Sequence, residues 1–215
     1  MGYAVLAFDG DDEGALGRRM AARERHLAVI NAWAADGRLA LGVPLFTAAG
    51  RPAGSLMVLE VPDQAGLDAY LAAEPFNQEG VWQRVETHGF RIAPLPYRPL
   101  PQPGAPVASA PTHTVVIAMD GRDDGAEQRR LAVRGAHMER VAPMAADGTL
   151  ALGGAILDAA GRMTGSIAVI ARPDEASARA WLAEDPYVTG GVWQEITLHP
   201  TRFAPLPYRP LPGAA

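Results

Sequence analysis

The chain has no cysteine. That excludes disulfides, thiolate zinc sites, iron–sulfur clusters and a cysteine nucleophile, and it fits a cytoplasmic protein. Lysine is absent as well: all 19 basic residues are arginine. There is therefore no Schiff-base lysine, no lysine-anchored pyridoxal phosphate and no phosphate loop of the GxxxxGK[ST] type. Acidic residues outnumber basic ones, the net charge is −5 and no arginine cluster is long. Nucleic acid, whose binding depends on phosphate neutralisation, is not an expected partner. No apolar run approaches the roughly 18 residues of a membrane-spanning helix. The start, Met1-Gly2-Tyr3-Ala4-Val5, shows no basic segment followed by an apolar stretch, so neither a signal peptide nor a membrane partner is expected. No His/Asp/Glu set has a metal-ligand spacing, and neither metal nor cofactor is expected.

What is present is a unit written twice. Leu39-Ala40-Leu41-Gly42 recurs from 150, Gly80-Val81-Trp82-Gln83 from 191, and Ala93-Pro94-Leu95-Pro96-Tyr97-Arg98-Pro99-Leu100-Pro101 from 204, each time 111 residues on. Solenoid repeats run to about 20–50 residues, so this period marks two copies of a whole domain. The expected limits are 1–98 and 113–215, with 99–112 as a proline-rich linker that favours an extended, semi-rigid form. The same run closes the second copy, where its Pro-x-x-Pro spacings fit an SH3-type ligand or a tail lying along its own domain.

Within one copy, Tyr3–Phe8 is a short apolar run and reads as a buried strand. From about 14 to 35, Leu16, Met20, Leu27, Ile30 and Ala34 make one helical stripe, which Asp36-Gly37 ends. Leu39–Phe46 and Gly54–Val61 read as a hairpin around Ala49-Gly50-Arg51. Pro62-Asp63 opens a second helix, Glu74-Pro75 stops it, and Val81–Ile92 is the last strand. The order β-α-β-β-α-β is the split-βαβ or ferredoxin-like unit of the α+β class. Valine and leucine occupy both faces of several strands, so the second copy is expected to cover the open sheet face of the first. The duplication then reads as a dimer fused into one chain, an intramolecular pseudo-dimer with a pseudo-two-fold axis, open to further homo-oligomerisation.

Several residues have the chemistry for a site. His26 and His137 sit on the long helices, with Arg23 and Arg134 three residues earlier on the same side. The wheel puts His26 beside Ala22, Ile30 and Trp33, at the margin of the stripe. That is either an imidazole between core and cavity or a partly buried histidine satisfied by a backbone carbonyl. Asp36 and Asp147 end the same helices. They are either turn chemistry or carboxylates that orient a histidine, although ten helical residues span about 15 Å. Glu74 and Asp185 match in position, as pocket lining or loop cap. Ser55 and Ser166 fit no nucleophile elbow and suit hydrogen bonding to a ligand. His88 and His199, on the last strands, are expected to be exposed.

The stretch Arg23-x-x-His26-Leu27, Ala35-Asp36-Gly37-Arg38-Leu39, Gly54-Ser55, Glu74-Pro75-Phe76 and Gly80-Val81 resembles the YciI-like (YCII-related) domain family. The second copy repeats it in Arg134-x-x-His137, Ala146-Asp147-Gly148, Gly165-Ser166, Asp185-Pro186-Tyr187 and Gly191-Val192. The second copy keeps the family's Asp-Pro-Phe/Tyr pattern, and the first departs from it at Glu74. The resemblance implies a dimeric α/β-barrel fold and a site built on a His–Asp pair, His26 with Asp36 and His137 with Asp147. Some relatives are dehydrochlorinases acting on chlorinated hydroxyhydroquinones, and fold relatives include muconolactone isomerase and cofactor-free monooxygenases. One implied function is a cofactor-independent lyase or isomerase, in which histidine moves a proton on a small cyclic or phenolic substrate and Arg23 or Arg134 holds an anionic group. The alternative is a non-catalytic module that binds a small ligand. The Glu74/Asp185 difference adds a third case, one working and one decayed site.

Overall fold

The computed structural model describes residues 2–214; the outermost domain limits expected at 1 and 215 lie outside the described residues. The first half runs β1 (Gly2–Asp9), α1 (Ala15–Ala35), β2 (Leu39–Phe46), β3 (Pro52–Leu59), α2 (Gln64–Ala73), α3 (Pro75–Gln78) and β4 (Trp82–Ile92). The second runs β5 (His113–Asp120), α4 (Ala126–Asp147), β6 (Leu150–Leu157), β7 (Met163–Ile170), α5 (Glu175–Ala183), α6 (Pro186–Thr189) and β8 (Trp193–Thr201). The β-α-β-β-α-β order holds in both halves. The one-turn helices α3 and α6 are additions, each begun by the proline that stops the helix before it. Asp63 and Asp174 cap α2 and α5 by accepting from Gly66 N and Ser177 N at 3.0 and 2.9 Å. Among the described residues, no helix is long and apolar enough to cross a membrane.

All eight strands join one antiparallel sheet in the order β2-β3-β1-β4-β6-β7-β5-β8. The halves are fused edge to edge, β4 pairing with β6 from Gly89↔Leu157 to Ile92↔Gly154. The sheet curls until its outer strands meet, where Thr201 Oγ1 donates to Pro44 O at 2.6 Å. The two halves thus form a pseudo-dimer that buries residues such as Leu6, Met57, Val115 and Val169 in a shared core.

The two seams differ although the repeat makes their positions equivalent. In the β4–β6 seam, Phe90 lies directly over Gly154, where a Cβ would come within 2.4 Å of the ring. The matching pair in the β2–β8 seam is Thr201 and Val43. Pro44 stands where the other seam has Ala155, and Pro200 where it has Gly89. The Pro44 carbonyl points at β8, so its missing N–H is also missing from that side. One seam is a ladder; the other is closed by side chains.

The proline-rich runs do not lie along their own domains as expected. The chain leaving β4 is already hydrogen-bonded to the second half, and it continues along that half. Tyr97 Oη donates to Gly153 O at 2.9 Å and accepts from Gly153 N at 3.1 Å. Tyr208 does the same with Gly42 in the first half, at 2.9 and 3.3 Å. Arg98 Nε donates to Ala146 O and Arg209 Nε to Ala35 O, at the ends of the opposite half's long helices. Gly37 and Gly148 follow those helices with φ of 79° and 88°, and a Cβ on Gly37 would meet Arg209 Cδ at 2.6 Å. Leu95, Tyr97, Leu100, Leu206, Tyr208 and Leu211 are all buried. The two runs are a reciprocal clasp, and burial pushes both tyrosine phenols up, keeping them protonated donors.

The histidines of the last strands are half-buried rather than exposed. His199 meets Phe8 of the first half at 5.8 Å between ring centres. Burial lowers His88, His113 and His199 from the ordinary histidine value.

Two predictions follow from these contacts. Tyr97→Phe and Tyr208→Phe each leave a buried glycine N–H without its acceptor and should cost about 1–3 kcal/mol, read as a lower urea midpoint with unchanged slope. Because the three histidines are lowered in the folded chain, the unfolded chain takes up protons first. Their contribution to stability is complete above about pH 6.5 and declines as pH falls through the folded values, so urea unfolding at pH 7 and pH 5 should show the lower stability at pH 5.

Candidate functional site

The long helix α1 turns Arg19, Ala22, His26, Ile30 and Trp33 inward at spacings of three and four. This puts an imidazole within the buried face, whereas Leu16 and Met20 of the expected stripe are exposed because the buried face is centred on Ala22, His26 and Ile30. His26 does not meet Asp36. Helix α1 runs on unbroken to Ala35, and Asp36 stays at the surface, accepting from Arg38 Nη2 at 2.5 Å. Asp147 likewise accepts from Thr149 N at 2.7 Å, a bond that lowers its carboxyl below the usual range. The expected His–Asp pairs with Asp36 and Asp147 are therefore replaced.

The carboxylate that meets each histidine comes from the loop before the short helix. His26 Nδ1 lies 2.7 Å from Glu74 Oε1, and His137 Nδ1 lies 2.9 Å from Asp185 Oδ1. Pro75 and Pro186 hold the preceding acid in extended backbone, so its side chain folds forward to cap α3 or α6. Phe76 N donates to Glu74 at 3.0 Å and Tyr187 N to Asp185 at 2.9 Å. Both acids are fully buried. A buried carboxylate needs every lone pair engaged, and the halves solve this differently. Tyr70 Oη donates to Glu74 at 3.0 Å, its phenol pushed well up by burial and by that acid. In the second half Trp181 replaces the tyrosine, and Arg140 Nη1 donates to Asp185 at 3.1 Å.

These contacts fix the imidazoles. A carboxylate only accepts, so Nδ1 carries a hydrogen, and in the neutral ring Nε2 holds the lone pair. His26 stacks on Phe76 and His137 on Tyr187, both at 3.9 Å, with Trp82 and Trp193 edge-on. Among the described residues, no protein group bonds either Nε2.

A second buried unit, which sequence reasoning missed, adjoins each ring. Arg19 Nη1 donates to both oxygens of Asp9, and Arg130 Nη1 to both of Asp120, all at 2.8 Å. Their other amino groups reach Ser55 Oγ at 3.3 Å and Ser166 Oγ at 2.9 Å. The serines are buried acceptors rather than nucleophiles. Burial raises the Asp9 and Asp120 carboxyls even beside an arginine. The signal available was Asp and Arg ten apart at the same place in both copies.

The histidine environments diverge at the cavity. A space of about 100 Å³ adjoins His137, walled by Arg130, Arg134 and Ser166 of the second half and by the segment from Arg91 to Leu95 of the first. An apolar protein cavity of about 150 Å³ can take benzene, so this space suits a substituent or small ring with part of it at the mouth. Arg134 and its first-half counterpart Arg23 are both exposed, Arg134 at the edge of this space. Among the described residues, no three His, Asp or Glu are grouped as for a metal.

The sequence comparison agrees with this doubled geometry: the YCII-related domain matches residues 1–91 and again 114–202. The chain belongs to the YCII-related domain family. No curated protein matches it. Among solved structures, a heme-binding protein from Thermus thermophilus is 14% identical, with 93% of this chain and 90% of that one covered and a TM-score of 0.56. A variant chlorite dismutase from Candidatus Nitrospira defluvii is 12% identical, with 96% and 92% covered and a TM-score of 0.55. These likenesses show the fold, a dimeric α/β barrel, here in one YCII-type chain. A 5-chloro-2-hydroxyhydroquinone dehydrochlorinase from Burkholderia phenoliruptrix, in complex with 2,5-dihydroxybenzoquinone, is 20% identical over 40% of this chain and 89% of that one, with a TM-score of 0.36.

The buried Arg130–Asp120 pair in the cavity wall has a measurable worth. Arg130→Met strands Asp120 as a buried charge without its partner and should cost about 3–5 kcal/mol in urea unfolding; pairing it with Asp120→Leu should restore much of the loss.

Proposed function

We propose that the chain is a small-molecule enzyme in which His137 is the acid–base group and the adjoining cavity receives a small cyclic or phenolic substrate. One observation carries this: Nδ1 of His137 is tied to a fully buried carboxylate while Nε2 is left free in a ring that lines the cavity. The nitrogen with the lone pair is then the one open to a ligand. It takes a proton from an acidic carbon or a phenol. Asp185 holds the ring in that tautomer and stabilises the cation formed, as orienting carboxylates do in triads.

Two outcomes balance from the resulting carbanion or phenolate. Loss of an anion such as chloride from the adjacent carbon, with its electron pair, completes an elimination. Return of the proton at another carbon completes an isomerisation. Neither step calls on a group beyond this chain and its substrate. General acid–base catalysis by a positioned histidine is typically worth about 10²–10⁴ in rate.

The expected result is that His137→Ala folds normally, by circular dichroism and melting temperature, and lowers kcat about 10²–10⁴-fold on a substrate found in a panel of phenols, chlorinated hydroquinones and lactones. Full activity in that variant would remove the histidine from the mechanism. A chain that binds panel members but turns none over would be a ligand-binding module instead.

A further inference from the structure

The repeat allows each cavity wall to be compared with its own counterpart 111 residues away. Ala168 lines the space beside His137, and the matching residue beside His26 is Met57, which is 1% exposed. The Met57 side chain lies over Gly42, its Cε 2.8 Å from where a Cβ would stand; Gly42 is the counterpart of Gly153 in the cavity wall. Ile30 replaces Val141 in the same layer, also buried. Apolar side chains therefore occupy in the first half the space that is open in the second.

The arginines diverge too. Arg91, next to last in β4 of the first half, lines the second-half cavity together with Arg134. Among the described residues, neither guanidinium has an ion-pair or hydrogen-bond partner. The counterpart of Arg91 is Arg202, and it is turned away: it donates to Ser109 O at 2.5 Å and lies 5.2 Å from the Phe46 ring. In the same wall, buried Arg130 has an Nε–H with no acceptor.

We infer that the chain holds one small organic anion, a ring bearing a carboxylate or phenolate, in the second-half cavity, and that Arg91 is supplied to it from the first half alongside Arg134. Two cations without counter-charge at the mouth of an apolar space suit a ligand with an apolar body and one charged edge. The first half then acts as the partner that completes the site, and its own pocket is closed. The inference rests on the cavity being a ligand site, but it is read by binding and not by turnover.

The test is calorimetric titration of the full chain with benzoate, and with benzamide as its neutral counterpart. Benzoate should bind at one site per chain and benzamide at least tenfold more weakly. Arg91→Ala and Arg134→Ala should each weaken benzoate about 10- to 100-fold, the worth of a charge-assisted hydrogen bond. Arg23→Ala and Arg202→Ala should leave it unchanged. Ala168→Met, which copies the first half's filling, should abolish binding while melting temperature confirms the fold. Two sites per chain, equal binding of benzamide, indifference to Arg91 or no saturable binding of benzoate would each overturn the inference. Benzoate binding that needs Arg91, in a chain whose turnover is indifferent to His137, would sink the acid–base reading and leave the anion site standing.

Discussion

Neither half can cover its own sheet, and the pairing of β4 with β6 follows from that constraint. A split-βαβ unit packs two helices on one sheet face and leaves the other apolar. Here the open faces close on each other because the sheet runs through the β4–β6 seam and curls until β2 meets β8. The clasp follows from the same seam. A chain leaving β4 has no route along its own half, so Tyr97 docks on Gly153, and symmetry sends Tyr208 to Gly42. The linker is therefore part of the core, and its prolines suit a path whose ladder hydrogen bonds are replaced by tyrosine hydroxyls.

Fusion into one chain frees the halves from identity. In a true homodimer a substitution appears twice, so a residue that fills one pocket fills both. Here the second seam can lose its ladder at Pro44 and Pro200 because the covalent link and the clasp hold the halves together regardless. Phe90 over Gly154 in one seam and the Thr201–Pro44 hydrogen bond in the other are two solutions to one packing problem. The divergence of the two histidine pockets belongs to the same freedom.

Much of the fold was legible in the sequence because the repeat shows every element twice. A strand or helix boundary suggested by one copy could be checked at the same offset in the other. The histidines and the Glu74/Asp185 pair could be named for the same reason. Their pairing was not legible: the acid is 48 residues from the imidazole, and it is aimed by a four-residue helix too short to show periodicity. Asp36 was nearer in sequence, but a helix that does not fold back keeps it at the surface. The crossing of the proline runs depends on which edge strands pair, which composition does not encode. The change from Ala168 to Met57 is visible in the repeat, but it means nothing until the strand face pointing at the histidine is known.

The difference between the two carboxylate settings bears on which half can do chemistry. Glu74 is satisfied by a neutral phenol, a backbone N–H and His26, and among the described residues no arginine bonds it. Asp185 is met by Arg140, whose guanidinium is in turn fixed by Trp181 O at 2.7 Å and by the Trp181 ring. Asp185 thus has a guanidinium beside it as well as the imidazole, whereas Glu74 has none, and on the proposed reading His137 is the base. Arg140 has no counterpart in the first half, where Val29 stands. The extra cation therefore lies in the half that keeps the shorter acid and the open cavity, which Arg134 lines from the same half and Arg91 from the other. In the other half the longer Glu74 reaches its histidine past a tyrosine, and methionine fills the space. Charge balance, cavity volume and the reach of one side chain all favour the same imidazole.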